Sequence, residues 1–423
     1  MGLTKLDRAN IAKVQSITGI PNSSTRGNIA VSSTGPALYY QYNGSWYSAA
    51  SSAGIFETHI GTLSARRVGT AATISGTQSF GYCNLGTISG DYSATFGSSQ
   101  NIGANYCFTA GANHTIYSGS DYSAAFGTSH TFVSSFYCFA AGYSHSIGAS
   151  SSCNSAFGRD MTISDSSNYN IAAGYNNTVN GHYNAYFGYN NNAISSDCSY
   201  NLVAGSNNDT DSTSYSIVGG YNNTVGANYT LTYGSLNTNA KTYATVSGKY
   251  VNAIWEGARH FSGGRVDGST TGSSQGMDGL VLIGQTVGAA TVTLTLNSND
   301  GSGTNPLYCP DGYTIIAAVR LMGISSGTST GFELYDFNLL LERHDPSSFN
   351  VTGTDFGGVL TSGSPTTPIY THGSNIGTLG ISEDAVNYKA ELQVTGVAGI
   401  TTNWVAHIYK AIIVKGSYHY GGS

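Results

Sequence analysis

The chain has 423 residues, of which 56 are Gly and 31 Tyr, only 9% are charged, and the formal net charge is −6. Ordinary globular domains carry roughly 25% charged residues; so low a value beside abundant Ser, Thr, Asn and Gly would suggest disorder, but 12% aromatic residues recurring at fixed spacing exclude it. There is no basic run to hold nucleic acid, and no segment reaches the roughly eighteen apolar residues of a membrane span.

Residues 1–55 read as an attachment segment. Asp7 stands as an N-cap before a helical pattern at Ile11, Val14 and Ile17. Two short strands follow around the turn Asn43-Gly44, with Trp46 close behind. Lys5, Arg8, Lys13 and Arg26 lie here, a large share of only 16 basic residues. They suit docking to a neighbouring protein and equally an ordinary solvated face.

Residues 56–251 form a repeat shaft. Between Tyr92 and Gly248 one phrase returns eleven times, as in YSATFG, YCFTAG, YSAAFG and YNIAAG, with CNSAFG the copy that lacks Tyr. Its closing glycines are Gly97, Gly111, Gly127, Gly142, Gly158, Gly174, Gly188, Gly205, Gly220, Gly234 and Gly248, spaced by 14 to 17 residues. A unit of about 15 residues cannot bury an apolar face alone, so each coil must lean on its neighbours.

Side chains of a strand alternate faces, which groups the positions five, three and one before each Gly. The spacing predicts that this face is the repeat core, represented by Tyr92, Phe96, Phe108, Tyr122, Phe126, Phe139, Phe157, Ile171 and Phe187. Large and small residues trade places along it: Phe96 beside Ala94, then Ala110 beside Phe108. Such compensation suits close packing. A second apolar column, Ile102, Ile116, Phe132, Ile147, Ile163, Val179 and Val225, follows the glycines by five residues. Two short strands per coil make a narrow parallel β-roll, and either the Tyr face or the small face of Ser93, Thr95, Cys107 and Thr109 is expected to pack on another chain.

Coils of this length with A-x-G or A-F-G at the first turn resemble the head repeats of trimeric autotransporter adhesins. That resemblance implies a left-handed β-roll assembled as a homotrimer; related repeats occur in bacteriophage fibres.

The register is expected to end in a neck, residues 252–268, where Trp255, Arg259, His260 and Phe261 cap the roll. Residues 269–423 then alternate as longer strands between Gly, Ser, Asp and Pro turns, predicting an antiparallel β-sandwich of jelly-roll type. The segments GRVDG, TVTLTLNSNDGSG, AAVRLMGIS and ELQVTGVAGITTNWVAHI are similar to a C-terminal domain of phage tail and head fibres. Its hallmark falls on Leu392, Val394, Thr395, Gly396, Val397, Gly399, Trp404 and Ala406. The fold class read from the chain is therefore all-β: a trimeric parallel β-roll followed by a jelly-roll-like sandwich tip.

Three residues after successive glycines stand His114, His130 and His145, with Asn177, Asn191, Asn208, Asn223 and Asn237 in the same place later. The Asn series reads as an amide ladder. The His series reads as the same ladder with His in place of Asn; imidazoles about 5 Å apart and multiplied by symmetry are also an arrangement that converges on a transition metal. No cofactor is signalled. Cys107 and Cys138 share a column two coils apart, about 9 to 10 Å, beyond disulfide reach, so the six cysteines read as structural thiols.

Asp91, Asp121, Asp160, Asp165, Asp209 and Asp211 scatter over coil turns, and Glu333 and Asp336 fall on opposite faces of one strand that also holds Glu342. That is not the paired carboxylate groove of glycan hydrolysis. No G-x-S-x-G, P-loop or H-E-x-x-H occurs. The N-terminus MGLTKLDRANIAKV has no apolar signal region and the C-terminus IIVKGSYHYGGS no anchor barrel, so of the two resembling groups the phage fibre is expected. The expectation is a non-enzymatic virion fibre, without nucleic-acid binding or membrane insertion. It would dock other virion proteins through residues 1–55 and bind a host-surface glycan or protein through Phe349, Tyr370 and His372. A tailspike-type polysaccharide depolymerase and a purely structural decoration fibre are the alternatives.

Overall fold

The computed structural model describes residues 73–262, 274–296, 303–326, 331–345, 348–355, 358–360, 370–373, 375–384 and 386–415, together with the backbone of short strands between 15 and 67. The chain is all-β, with about 13 parallel solenoid turns some 15 residues apart and an antiparallel sheet region at the C-terminal end. It divides into the units Met1–Ser144 and His145–Ser423.

In the first unit, strands Phe80–Cys83, Ala94–Ser98, Phe108–Ala112, Ala124–Thr128 and Phe139–Tyr143 pair in parallel, placing Gly97 beside Gly111, Gly111 beside Gly127 and Gly127 beside Gly142. A second parallel sheet stacks Thr73–Ile74, Gly86–Ile88, Gln100–Ile102, Thr115–Ile116 and Thr131–Phe132. Between the two sheets lie Ile74, Ile88, Ile102, Ile116 and Phe132 against Thr95, Thr109, Ala125 and Ala140, all fully buried. Nearer the N-terminus, Leu38–Tyr42 and Ser45–Ser48 form the expected hairpin, with Tyr42 opposite Ser45 across Asn43-Gly44. The part of the predicted helix before residue 15 lies outside the described residues. Gln15–Ile17 corrects the remainder: it is a strand paired in parallel with Ala30, Val31 and Ser32. A weak amphipathic pattern with one cap gives way to a sheet ladder that satisfies the same backbone groups.

The second unit continues the coil pattern with Ser155–Arg159, Ile171–Tyr175, Ala185–Tyr189, Leu202–Ser206, Ile217–Tyr221, Leu231–Ser235 and Thr245–Lys249. The expected neck is partly a further coil, because Arg259–Ser262 pairs in parallel with Thr245–Lys249. Its other edge pairs antiparallel with Ser274–Asp278. The sheet continues through Thr401–Lys415 to Leu280–Val287 and Tyr313–Ser326, then Gly331–Asp345. A three-stranded antiparallel sheet of Thr291–Thr293, Lys389–Gly396 and Gly377–Asp384 shares its core, which holds Leu294, Phe337, Leu392, Val394 and Trp404. Trp255 belongs to this core and donates through Nε1 to the Tyr308 carbonyl at 2.7 Å.

Within that core the hallmark residues are packing parts. Leu392, Val394, Trp404 and Ala406 are buried, and Trp404 Nε1 donates to Thr286 Oγ1 at 3.1 Å. A Cβ on Gly323 or Gly377 would run into the Trp404 ring.

Candidate functional site

The face predicted to be the repeat core is the outer surface of the coils. Tyr92, Phe96, Phe108, Tyr122, Phe157, Ile171 and Phe187 are 38 to 50% exposed, and Phe126 and Phe139 are half-buried. The physical reason is cross-section. Two strands joined at a Gly leave room for one apolar residue of the second strand and one small residue of the first, so Ala125, Ala140, Ala156 and Ala172 face inward and the rings face out.

On this surface Tyr92, Tyr106, Tyr122 and Tyr137 stack with centroids 4.9, 4.7 and 5.1 Å apart. In the second unit Tyr169, Tyr183, Tyr200, Tyr215, Tyr229 and Tyr243 do the same at 4.7 to 5.1 Å. Strand spacing imposes this pitch. Every one of these tyrosines has φ between 56 and 60°, the left-handed region that side chains other than Gly seldom occupy. That backbone turns each ring out of the coil and onto the next. The phenol of Tyr106 is pushed up from its ordinary pKa by lost solvation, then by the neighbouring Tyr122 and Tyr92.

Beside the tyrosines runs a zigzag of Phe96, Phe108, Phe126 and Phe139, with centroids 5.5 to 5.7 Å apart. The trading of large and small residues thus interleaves rings diagonally between adjacent coils.

His114 and His130 stack at 4.9 Å with rings nearly parallel. His114 Nε2 lies 3.3 Å from the Ala110 carbonyl, and its Nδ1 accepts the His130 backbone N–H at 3.4 Å. His130 Nε2 is 2.8 Å from the Phe126 carbonyl, and His145 Nδ1 accepts the Met161 N–H at 3.2 Å. Asn177 makes the same pair of bonds, Nδ2 to the Ala173 carbonyl and Oδ1 from the Asn191 N–H, each at 2.9 Å. The ladder continues through Asn208, Asn223 and Asn237. His is therefore standing in for Asn, as an Nε2–H tautomer. At His114 both ring nitrogens are engaged, which leaves no lone pair to turn toward a metal, and among the described residues no group of three potential ligands converges.

Three of the coil carboxylates serve the turns. Asp91 Oδ1 accepts the Thr77 N–H, Asp121 the Asn105 N–H and Asp165 the Ala149 N–H, at 2.6 to 2.8 Å. In the C-terminal sheet Glu333 faces inward, accepting from Tyr335 Oη and the Ile376 N–H. Asp336 faces outward and pairs with Arg320 at 2.7 Å. Phe349 falls on strand Ser348–Asp355, and Tyr370 and His372 on Tyr370–Gly373, rather than in loops; their side chains lie outside the described residues.

No family model and no curated protein matches the chain. Among solved structures it is similar to the crystal structure of the Acinetobacter phage vB_ApiP_P1 tailspike protein, at 11% identity over 80% of each chain with a TM-score of 0.16. So low a score marks no common fold, and the reading that follows rests on the chain's own geometry.

Proposed function

We propose that the chain is a non-enzymatic fibre of a bacteriophage virion, a homotrimer along its coils that attaches to the host cell surface. The observation that carries this reading is, within each unit, the outward column of aromatic and aliphatic side chains on coils whose interior is already filled. Covering one ring that stands about 40% exposed removes on the order of 80 Å² of apolar surface, ~2 kcal/mol. Repeated on coil after coil, this exceeds the cost of association. Identical copies suit the column, because a periodic surface is met best by one of the same period.

Residues 1–55 would hold the fibre to other virion proteins, and the C-terminal sheets would carry the contact with a host glycan or protein. Three tips held together in one trimer bind through effective concentration even where each is weak. Three coil carboxylates support the non-enzymatic reading, since Asp91, Asp121 and Asp165 are spent on neighbouring backbone amides.

Light scattering on the purified protein, with host-cell binding measured on the same sample, tests the reading. A mass of about three chains together with cell binding supports it. A stable monomer overturns the trimer, and release of reducing ends from host polysaccharide would move the assignment to a depolymerase.

A further inference from the structure

The second unit contains an open cavity of about 310 Å³, lined among others by Lys241, Ile254, Glu256, Tyr308, Asn387 and Lys389. Lys241 and Glu256 come from successive coil turns; Lys389 begins strand Lys389–Gly396. Two of the chain's 16 Lys and Arg residues meet here. Among the described residues neither ammonium, nor the Glu256 carboxylate, has a hydrogen-bond or ion-pair partner. In a chain with 9% charged residues, three unpaired charges around one cavity call for a ligand.

The wall is fixed. The Tyr308 carbonyl accepts Trp255 Nε1, and its phenol oxygen accepts Arg343 Nη1 at 3.2 Å, so its own O–H is left to donate. Arg343 is buried and sits 3.5 Å over the Tyr388 ring. Asp384, whose charge reaches Lys389, is outside the lining and accepts two bonds from Asn387.

We propose that this cavity binds a sugar carrying a single carboxylate, such as a uronic acid unit of a surface polysaccharide. Lys241 and Lys389 would take the carboxylate, Glu256 would accept sugar hydroxyls, and Ile254 with Pro306 would meet a C–H face of the ring. Lys241, Lys389 and Arg343 against Glu256 and Asp384 leave one positive charge, which matches a monoanion; Glu256 would repel the second charge of a phosphate monoester. The size is at the lower end of small-molecule sites, suited to one or two rings and not to a long oligosaccharide.

The proposal extends the receptor-binding reading, and titration of the purified full chain tests the cavity without any cell, so either can fail alone. Calorimetry with a glucuronic acid disaccharide, its neutral glucose counterpart and inorganic phosphate is the experiment. The acidic disaccharide is expected to bind at least tenfold tighter than either control. Lys241→Gln and Lys389→Gln should each weaken it about tenfold with unchanged thermal melting, and Lys241→Arg should retain most of it. Equal binding of the neutral sugar or of phosphate, or unaltered affinity in both Gln variants, overturns the assignment. Because the sugar comparison uses the native chain, it decides the matter even where a variant fails to fold.

Discussion

Tyr200 and Tyr215 stack face to face on neighbouring coils, centroids 4.7 Å apart and planes 3° from parallel, while each holds a left-handed backbone at φ 59 and 58°. The ladder therefore sets stacking gain against backbone strain. Tyr200→Ala loses contacts to both Tyr183 and Tyr215 and keeps the strain, for an expected cost of about 1 to 3 kcal/mol. Tyr200→Gly loses the same contacts but relieves the strain, and should melt above Tyr200→Ala. Thermal melting of the two variants checks the order; a Gly variant less stable than the Ala variant sinks this account.

The coil period, the glycine register, the Asn ladder and the hairpin at Asn43-Gly44 could all be read from spacing alone, because each is a repeat or a turn with its own chemical rule. Which face of the coil is inside could not. Alternation separates two faces without saying which is buried, and hydrophobic weight points to Tyr and Phe. The interior of a two-strand coil is too narrow for them, so residue size was the signal: Ala125, Ala140, Ala156 and Ala172 are the inward column. Tyr186 makes the point from the other side. It is a large residue in that column, and small Ala193 and Thr210 face it, with Tyr186 Oη bonded to Thr210 Oγ1. The Lys241, Glu256 and Lys389 cavity joins residues almost 150 positions apart in sequence. Its only sequence signal was charge in a chain that has little.

Gly188 has φ of 115°, and a Cβ there would overlap the carbonyl oxygen of Gly205 on the next coil. Gly188→Ala is expected to cost about 3 kcal/mol or more, since strain and backbone overlap add. Gly219 has an ordinary φ and open space where a Cβ would go. Gly219→Ala should be neutral or slightly stabilising. Denaturant midpoints for the pair separate the crowded glycine column from glycines that are merely frequent.

Acid should loosen the molecule through buried imidazoles. Burial holds His114 below the ordinary histidine value, and burial, with nearby Lys241, holds His260 down to about 4. Both stay neutral in the folded chain where the unfolded chain, titrating near 6.5, takes a proton. Their contribution is complete above about pH 6.5 and is lost as pH falls, for His260 toward about 4 and by up to ~3 kcal/mol. His114→Asn keeps both ladder bonds, as Asn177 shows, and should flatten part of the fall. Melting temperatures of both proteins at pH 7.5 and 4.5 give the comparison, and equal falls would remove His114 from the account.

Neighbouring residues on one strand should answer two different assays. Tyr186 is fully buried between the sheets, whereas Phe187 is 39% exposed on the aromatic surface. Tyr186→Ala empties a packed layer and removes the hydrogen bond to Thr210 Oγ1, at an expected cost of about 3 to 5 kcal/mol in stability. Phe187→Glu removes nothing from the coil interior; far-ultraviolet circular dichroism should be unchanged. If the aromatic surface is where copies meet, several such charges, for instance Phe157→Glu with Phe187→Glu and Leu202→Glu, desolvate three carboxylates against apolar neighbours on every chain. The species seen by light scattering should then fall from about three chains toward one. A triple variant that keeps the native mass would place the association on another face of the coils.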